Sequence, residues 1–189
     1  MRASRGRNLS LPNLITIARI LLVPVMVWAI QSNAMLIAFT LFLAAGLSDA
    51  VDGFLAKRFN MTSELGAYLD PLADKVLLVS IYVSLGIAEA IPRWLVILVV
   101  SRDLLIVGGV MLSWILGNPV RIKPLIVSKL NTVAQILFAG VVLAALAFGF
   151  DAAIAEMLLM AAVTILTLLS VGFYLDEWVR HMNSPQSGL

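Results

Sequence analysis

Six long stretches of apolar residues divide the chain, and short polar or turn-forming segments separate them. The stretches cover residues 14–31, 34–56, 71–89, 93–116, 126–149 and 152–176. Each holds about 18–25 residues, enough for a helix to cross the hydrocarbon core of a bilayer. Backbone polar groups in lipid must be satisfied within the segment, so the stretches predict helices. We expect one all-helical integral membrane domain over residues 1–189, with six transmembrane helices and a basic juxtamembrane segment at 1–12.

Composition supports a membrane protein and excludes several chemistries. Apolar residues make up 61% of the chain, charged residues 13%, and the mean hydropathy is +1.02. A soluble domain of this size could not bury so many apolar side chains. The chain has no cysteine, which excludes disulfides, thiolate metal sites and a thiol nucleophile. The single histidine, His181, has no neighbours at metal-ligand spacing.

The distribution of basic residues predicts the orientation in the membrane. With the N-terminus inside, nine basic residues fall on the cytoplasmic side: Arg2, Arg5, Arg7, Lys57, Arg58, Arg121, Lys123, Lys129 and Arg180. Only Arg93 falls on the opposite side. Both termini are therefore expected to face the cytoplasm. This bias favours a bacterial inner membrane, with a mitochondrial inner membrane as the alternative.

Four aspartates interrupt the apolar pattern within 26 residues, at Asp49, Asp52, Asp70 and Asp74. The first two are three residues apart and the last two are four apart, so each pair lies on one helix face. A loop of about a dozen residues is expected between the two helices and would let these faces meet. Four carboxylates at close range need cations between them. Hard divalent ions, magnesium, manganese or calcium, suit such oxygen ligands, and two of them would bind a pyrophosphate.

Two alternative roles for the aspartates stay open. They could cap helices or pair with the three cations inside the apolar stretches, Arg19, Lys75 and Arg102. They could also carry ions or protons, as acids inside the spans of transporters do. The neighbouring residues favour a phosphate ligand. Gly53 and Ala56 allow close backbone approach, and Lys57 with Arg58 can neutralise phosphate oxygens.

The aspartate run resembles the signature of the CDP-alcohol phosphotransferase family, D-x2-D-G-x2-A-R-x8-G-x3-D-x3-D. The chain keeps every spacing, with Asp49, Asp52, Gly53, Ala56, Lys57, Gly66, Asp70 and Asp74. Lys57 stands where the family has arginine, which keeps the charge but loses the two-pronged contact of a guanidinium. Arg58, the next residue, could compensate for that loss.

Segments outside the signature resemble one branch of this family, which makes phosphatidylglycerophosphate and cardiolipin. The stretch from Leu11 to Arg19 looks like the first-span motif of the branch. Lys123-Pro124, followed by Ser128-Lys129-Leu-Asn131-Thr132, looks most like the CMP-forming cardiolipin synthases. Phosphatidylglycerophosphate synthases carry a related Lys-x2-Thr segment.

The resemblance implies an activity and a role for each signature residue. The expected reaction transfers a phosphatidyl group from CDP-diacylglycerol to phosphatidylglycerol, giving cardiolipin and CMP; glycerol 3-phosphate is the alternative acceptor. Asp49, Asp52 and Asp70 would bind Mg²⁺ or Mn²⁺, two ions in all, and Asp74 would be both a ligand and the base. The nucleotide site would comprise Asp49, Gly53, Ala56, Lys57 and Gly66.

The remaining basic residues are candidates for the acceptor site. Arg102, Lys123 and Lys129 are expected to bind the phosphate of the acceptor. The alternative for Arg102 is an ion pair with Asp103 or with an acid of the site, and the alternative for Lys123 is an ordinary positive-inside residue. Membrane lipids and a second copy of the chain are the other expected partners, whereas nucleic acid is not.

Overall fold

A computed structural model describes the backbone of residues 11–59, 64–115 and 126–183, and the side chains of residues 18–48, 75–108 and 126–176. Within these residues the chain is all-helical. The six helices are α1 (Leu11–Gln31), α2 (Met35–Phe59), α3 (Glu64–Ile87), α4 (Arg93–Ile115), α5 (Ile126–Phe148) and α6 (Ala153–Asn183). Each apolar stretch of the sequence therefore corresponds to one helix.

Two helices extend well beyond the apolar stretches that predict them. Helix α3 begins at Glu64 rather than near residue 71, and α6 continues to Asn183 rather than ending near residue 176. The reason is that hydropathy marks only the apolar part of a helix, whereas polar residues such as Glu and Lys are also good helix formers. The prediction of a loop of about a dozen residues between α2 and α3 is therefore wrong. Helix α2 ends at Phe59, which leaves residues 60–63 as the connection.

Two of the described helices are long and apolar enough to cross a membrane. These are Ile126–Phe148 and Ala153–Asp176, with mean hydropathies of 2.0 and 2.2. Shorter apolar helical segments occur at Ala18–Gln31, Met35–Ser48 and Lys75–Ile87. The prediction of a helical protein is confirmed, and the prediction of six membrane spans stays a prediction.

The helices form a closed ring. Helix α1 packs against α2 and α3, α5 against α2 and α6, and α4 against α3 and α6. The order around the ring is thus α1, α2, α5, α6, α4, α3. Helices α3 and α5 also touch each other, and this contact divides the ring into two halves. The first half is bounded by α1, α2, α5 and α3, and the second by α3, α5, α6 and α4.

Three tight turns connect successive helices at one end of the bundle. Asn33 after α1 and Glu89 after α3 adopt positive φ angles of 56° and 57°, and Gly149 after α5 has a φ of 68°. At the first turn, Ala34 N–H donates to Ala29 C=O and Asn33 N–H donates to Ile30 C=O. This pair of bonds is a Schellman motif, which satisfies the last carbonyls of the helix. Such short connections force neighbouring helices to run antiparallel.

Apolar side chains fill most of the bundle interior. Fully buried residues include Met26, Ile30, Ala38, Ile81, Leu85, Leu95, Phe138 and Leu143. Glycine allows one especially close approach: a Cβ atom built on Gly86 of α3 would lie 2.7 Å from Val96 Cγ2 of α4. This close contact fixes the distance between α3 and α4 at the end of the bundle that carries the turns.

Candidate functional site

The four signature aspartates lie on α2 and α3, at helical spacings from buried residues of the same helices. On α2, Ala38 and Ala45 are buried, and positions 49 and 52 follow Ala45 by four and seven residues. On α3, Leu78, Ile81 and Leu85 are buried. Positions 74 and 70 precede Leu78 by four and eight residues. Residues three, four or seven apart share a helix face, so both pairs of positions continue buried stripes.

The two pairs also lie at similar heights in the bundle. Asp52 lies seven residues before Phe59, the end of α2, and Asp70 lies six residues after Glu64, the start of α3. At 1.5 Å of rise per residue, these distances are about 10 Å and 9 Å along the two helices. Helices α2 and α3 both pack against α1 and α5, and α3 also packs against α4. The side chains of the two pairs lie outside those that the structure describes.

The other signature residues are placed by the same two helices. Gly53, Ala56 and Lys57 lie in the last two turns of α2, and Gly66 lies in the first turn of α3. These positions lie between the aspartates and the connection at residues 60–63. The side chains of these residues lie outside those that the structure describes. Lys123 of the predicted acceptor site also lies outside the described residues.

The second half of the ring holds a buried cluster of charged and hydroxyl side chains. Arg102 of α4 is only 2% exposed and Asp103 is 5% exposed. Arg102 Nη1 donates to Asp103 Oδ1 at 2.6 Å, and Lys75 Nζ of α3 donates to the same oxygen at 2.8 Å. A buried ion pair needs such close geometry and further hydrogen bonds to offset the cost of desolvation.

Two serines supply those further hydrogen bonds. Arg102 Nη2 donates to Ser128 Oγ of α5 at 2.6 Å and to Ser170 Oγ of α6 at 2.8 Å, and Nε also donates to Ser170 Oγ at 3.1 Å. With the bond to Asp103, four of its five N–H donors are engaged within the described part of the chain. Arg102 therefore ties α4 to both α5 and α6.

This cluster bears on the alternatives that the sequence leaves open. Arg102 forms the predicted ion pair with Asp103, which does not test whether it also binds a phosphate. Lys75 and Arg102 are both held by Asp103, which weakens the alternative that these cations neutralise the signature aspartates. Arg19 of α1 is buried, at 4% exposure. Its burial favours a cation facing the bundle interior over one reaching for the membrane surface.

Of the predicted acceptor-site residues, Lys129 lies apart from this cluster. It is exposed, although it directly follows Ser128 on α5. Successive residues of a helix point about 100° apart, so Ser128 faces Arg102 while Lys129 faces outward. Arg102 and Lys129 are thus not brought together by the bundle itself.

A polar column continues from this cluster into the bundle, and sequence reasoning missed most of it. Thr167 Oγ1 of α6 donates to Asn131 Oδ1 of α5 at 3.0 Å, and Tyr82 Oη of α3 donates to the backbone carbonyl of Gln135 at 3.1 Å. The Asn131 Nδ2 and both Gln135 amide atoms are buried without a partner among the described residues. The signal that could have found the column is the helical spacing of Ser128, Asn131 and Gln135 within an apolar segment.

Cations and acidic signature positions therefore lie on neighbouring helices of the ring. The signature positions lie on α2 and α3, the buried cations are Arg19 on α1 and Arg102 on α4, and Lys75 on α3 is partly exposed. Lys75 directly follows Asp74 on α3, so this helix carries both an acidic signature position and a cation that contacts Asp103.

The fold and this site define an all-helical, membrane-associated class of protein with acidic and basic positions inside one bundle. Comparison with known families makes the assignment specific. The profile described as CDP-alcohol phosphatidyltransferase matches residues 9–169, which is most of the chain. The chain belongs to this family of phosphatidyltransferases, and the family generally uses a divalent metal ion.

Relatives within the family carry two different names. Over 164 residues the chain is 38% identical to the chloroplastic CDP-diacylglycerol–glycerol-3-phosphate 3-phosphatidyltransferase 1 of Oryza sativa subsp. japonica, covering 78% of this chain and 50% of the relative. It is 36% identical over 157 residues to the human cardiolipin synthase (CMP-forming), covering 75% and 52%. A probable phosphatidylglycerophosphate synthase of Mycobacterium tuberculosis is 30% identical over 184 residues, covering 94% and 86%. The chain spans about half the length of the first two relatives.

Proposed function

We propose that this protein transfers the phosphatidyl group of CDP-diacylglycerol to phosphatidylglycerol, giving cardiolipin and CMP. The observation that supports this most directly is the placement of the signature positions. Both aspartate pairs lie at helical spacings from buried residues, near the end of α2 and near the start of α3. The Lys-Pro-x3-Ser-Lys-x-Asn-Thr stretch, residues 123–132, supports the cardiolipin-forming branch within the family.

The donor set of the aspartate pairs fits a hard divalent cation. Carboxylate oxygens are the ligands that Mg²⁺ and Mn²⁺ prefer, and the chain offers no thiolate that would favour a softer metal. In this proposal Asp49, Asp52, Asp70 and Asp74 hold two such ions. When bound, the ions neutralise charge on the transferring phosphoryl group.

The chain's own residues then divide the work of transfer. Asp74 accepts the proton of the acceptor hydroxyl as its oxygen forms a bond to the phosphorus beside diacylglycerol. The bond between that phosphorus and the CMP oxygen breaks, and CMP leaves. Gly53, Ala56 and Gly66, together with Asp49, line the cytidine nucleotide, and Lys57 contacts its diphosphate.

Arg102 and Lys75 are the described residues best placed to hold the phosphate of the acceptor. Both are cations anchored on Asp103, and Lys75 is the immediate neighbour of the proposed base. Arg102 keeps one Nη1 hydrogen beyond the four that are engaged, and its serine contacts can exchange for phosphate oxygens. Lys123 and Lys129 are assigned to the same acceptor region, Lys129 from its exposed position on α5.

Phosphatidylglycerophosphate synthesis is the second candidate. It uses the same donor and the same aspartates, with glycerol 3-phosphate as the acceptor. The specific observation in its favour is the 38% identity to a relative named for that reaction. Transport of ions, the remaining alternative from the sequence, does not agree with membership of a phosphatidyltransferase family.

The proposed setting is a bacterial inner membrane with the site on the cytoplasmic side and the enzyme as a homodimer. The turn between α3 and α4 carries Arg93 beside Glu89, a pair whose side chains are each 75% exposed. Among the described backbone positions, Lys57, Arg58, Lys129 and Arg180 lie toward the opposite ends of their helices, and this asymmetry supports the orientation.

Lipid product analysis tests the proposal. Purified protein receives CDP-diacylglycerol and Mg²⁺ or Mn²⁺, with phosphatidylglycerol and glycerol 3-phosphate supplied in separate reactions. Cardiolipin with release of CMP, from phosphatidylglycerol alone, is the expected result. Phosphatidylglycerophosphate from the second reaction alone would move the assignment to the second candidate. Full product formation after removal of divalent metal by a chelator would contradict the metal site.

A further inference from the structure

Asp103 is buried where four helices meet, and its two carboxylate oxygens have different surroundings. Oδ1 accepts hydrogen bonds from Lys75 of α3 and from Arg102, its neighbour on α4. Arg102 in turn donates to Ser128 of α5 and Ser170 of α6. One oxygen atom therefore anchors both cations.

The second oxygen, Oδ2, is buried and has no hydrogen-bond partner within the part of the chain that the structure describes. Buried carboxylate oxygens are ordinarily hydrogen-bonded, because leaving such an acceptor unsatisfied is costly. An arginine beside a carboxylate often contacts both of its oxygens. Here Arg102 instead contacts Oδ1 and directs its other N–H groups to the two serines. Oδ2 therefore receives no hydrogen bond from the described residues.

The charges around Asp103 indicate what kind of ligand brings that donor. Two cations share one carboxylate, so the three side chains carry one excess positive charge. Arg102 is 2% exposed, whereas the Lys75 side chain is 29% exposed, so Lys75 is the more accessible of the two cations. A ligand with a phosphate and a nearby hydroxyl would suit both the excess positive charge and the unpartnered Oδ2. Its phosphate would balance the excess charge and its hydroxyl would donate to Oδ2.

We propose that Asp103 determines acceptor specificity by accepting a hydrogen bond from a second, non-reacting hydroxyl of the acceptor alcohol. This inference rests on the proposed function. The acceptor class is a phosphate-bearing diol, in which one hydroxyl attacks and its neighbour stays free. The headgroup of phosphatidylglycerol and glycerol 3-phosphate both belong to this class. Asp103 thus selects the acceptor, while Asp74 acts on the reacting hydroxyl.

Acceptors that lack the second hydroxyl test this role. The matched pairs are phosphatidylglycerol with phosphatidylpropanediol, and glycerol 3-phosphate with 3-hydroxypropyl phosphate; the pair used is the one whose diol gives product. A hydrogen bond to a charged group corresponds to about a 10- to 150-fold difference in kcat/KM between diol and deoxy acceptor in the wild-type enzyme. In Asp103→Asn, the amide oxygen stays with the donors Lys75 and Arg102. An NH2 group then replaces Oδ2 and cannot accept a hydrogen bond from the hydroxyl. The ratio between the two acceptors is expected to fall toward one.

Ser128→Ala is the matched control. It removes a hydrogen bond from Arg102 that does not involve Asp103, so it should lower kcat/KM for both acceptors and leave their ratio unchanged. A purely structural Asp103 would behave in the same way as this control.

Two outcomes overturn the inference. In the first, the wild-type enzyme uses diol and deoxy acceptors equally well, a comparison that does not depend on any variant folding. In the second, Asp103→Asn keeps the full wild-type discrimination. Product from neither diol would instead refute the proposed function, so the two failures are distinguishable.

Discussion

The contact between Gly86 and Val96 predicts the effect of one added methyl group. An alanine Cβ at position 86 would lie 2.7 Å from Val96 Cγ2, while ordinary contacts begin near 3.4 Å. Helices α3 and α4, or the Val96 side chain, must therefore move by about 0.7 Å or more to accept Gly86→Ala. The same two helices carry Lys75 and Asp103, so the shift would also loosen the anchored cations.

The magnitude follows from two opposing effects. Replacing glycine by alanine inside a helix stabilises it by ~1 kcal/mol, whereas overpacking a close helix contact costs ~1–3 kcal/mol. Gly108→Ala on α4 is the matched control, because nothing lies within 4 Å of its added Cβ. Gly86→Ala is thus expected to be less stable than Gly108→Ala by ~1–3 kcal/mol.

Thermal unfolding of the purified variants in detergent measures this difference. The contact is checked by adding Val96→Ala, which removes the Cγ2 atom involved. The double variant Gly86→Ala/Val96→Ala should recover stability relative to the sum of the single changes. If Gly86→Ala proves as stable as Gly108→Ala, or if the two changes at 86 and 96 are simply additive, the reasoning from this contact is refuted.

Three further substitutions test other parts of the molecule. Asp74→Asn should abolish product formation while the thermal unfolding midpoint stays near wild type, because the change removes a base and ligand from a polar position; near-normal turnover would sink the assignment of Asp74. Lys57→Arg should retain activity in the lipid assay, since the charge is kept and the family's own residue is restored; complete loss would mean that this chain uses the lysine differently. Tyr82→Phe should destabilise the fold by ~0.5–1.5 kcal/mol, the usual contribution of one hydrogen bond, here the one to the Gln135 carbonyl; unchanged unfolding would show that this bond contributes nothing.

The helices were largely predictable because a lipid-compatible helix is encoded locally. Each apolar stretch of the sequence corresponds to one helix, since backbone groups in an apolar environment must be satisfied within the segment. The start of α3 at Glu64 and the end of α6 at Asn183 were not predictable from hydropathy. Charged residues such as Glu64, Asp70, Glu177 and Arg180 lower the mean hydropathy near those ends, and hydropathy does not distinguish such a helix end from a loop.

The aspartates and the buried cluster show the same division between local and distant information. The signature follows from spacing along the chain, so Asp49 to Asp74 could be identified without a structure. The partners of Arg102 could not all be found that way, because Ser170 lies 68 residues away in sequence. That contact depends on the ring order that places α6 beside α4. Only Asp103, as the adjacent residue, was predicted as a partner.

Most of the interval between Asp52 and Asp70 in the signature is helical, because α2 continues to Phe59 and α3 begins at Glu64. Seventeen residues separate Asp52 from Asp70, and thirteen of them are helical, with four in the connection. The helical residues of this interval therefore have fixed positions relative to the aspartates of their own helix. One residue inserted between Asp52 and Gly53 would leave Asp49 and Asp52 at their spacing from the buried Ala45. It would turn the positions that follow, Gly53, Ala56 and Lys57, by about 100° relative to the aspartates.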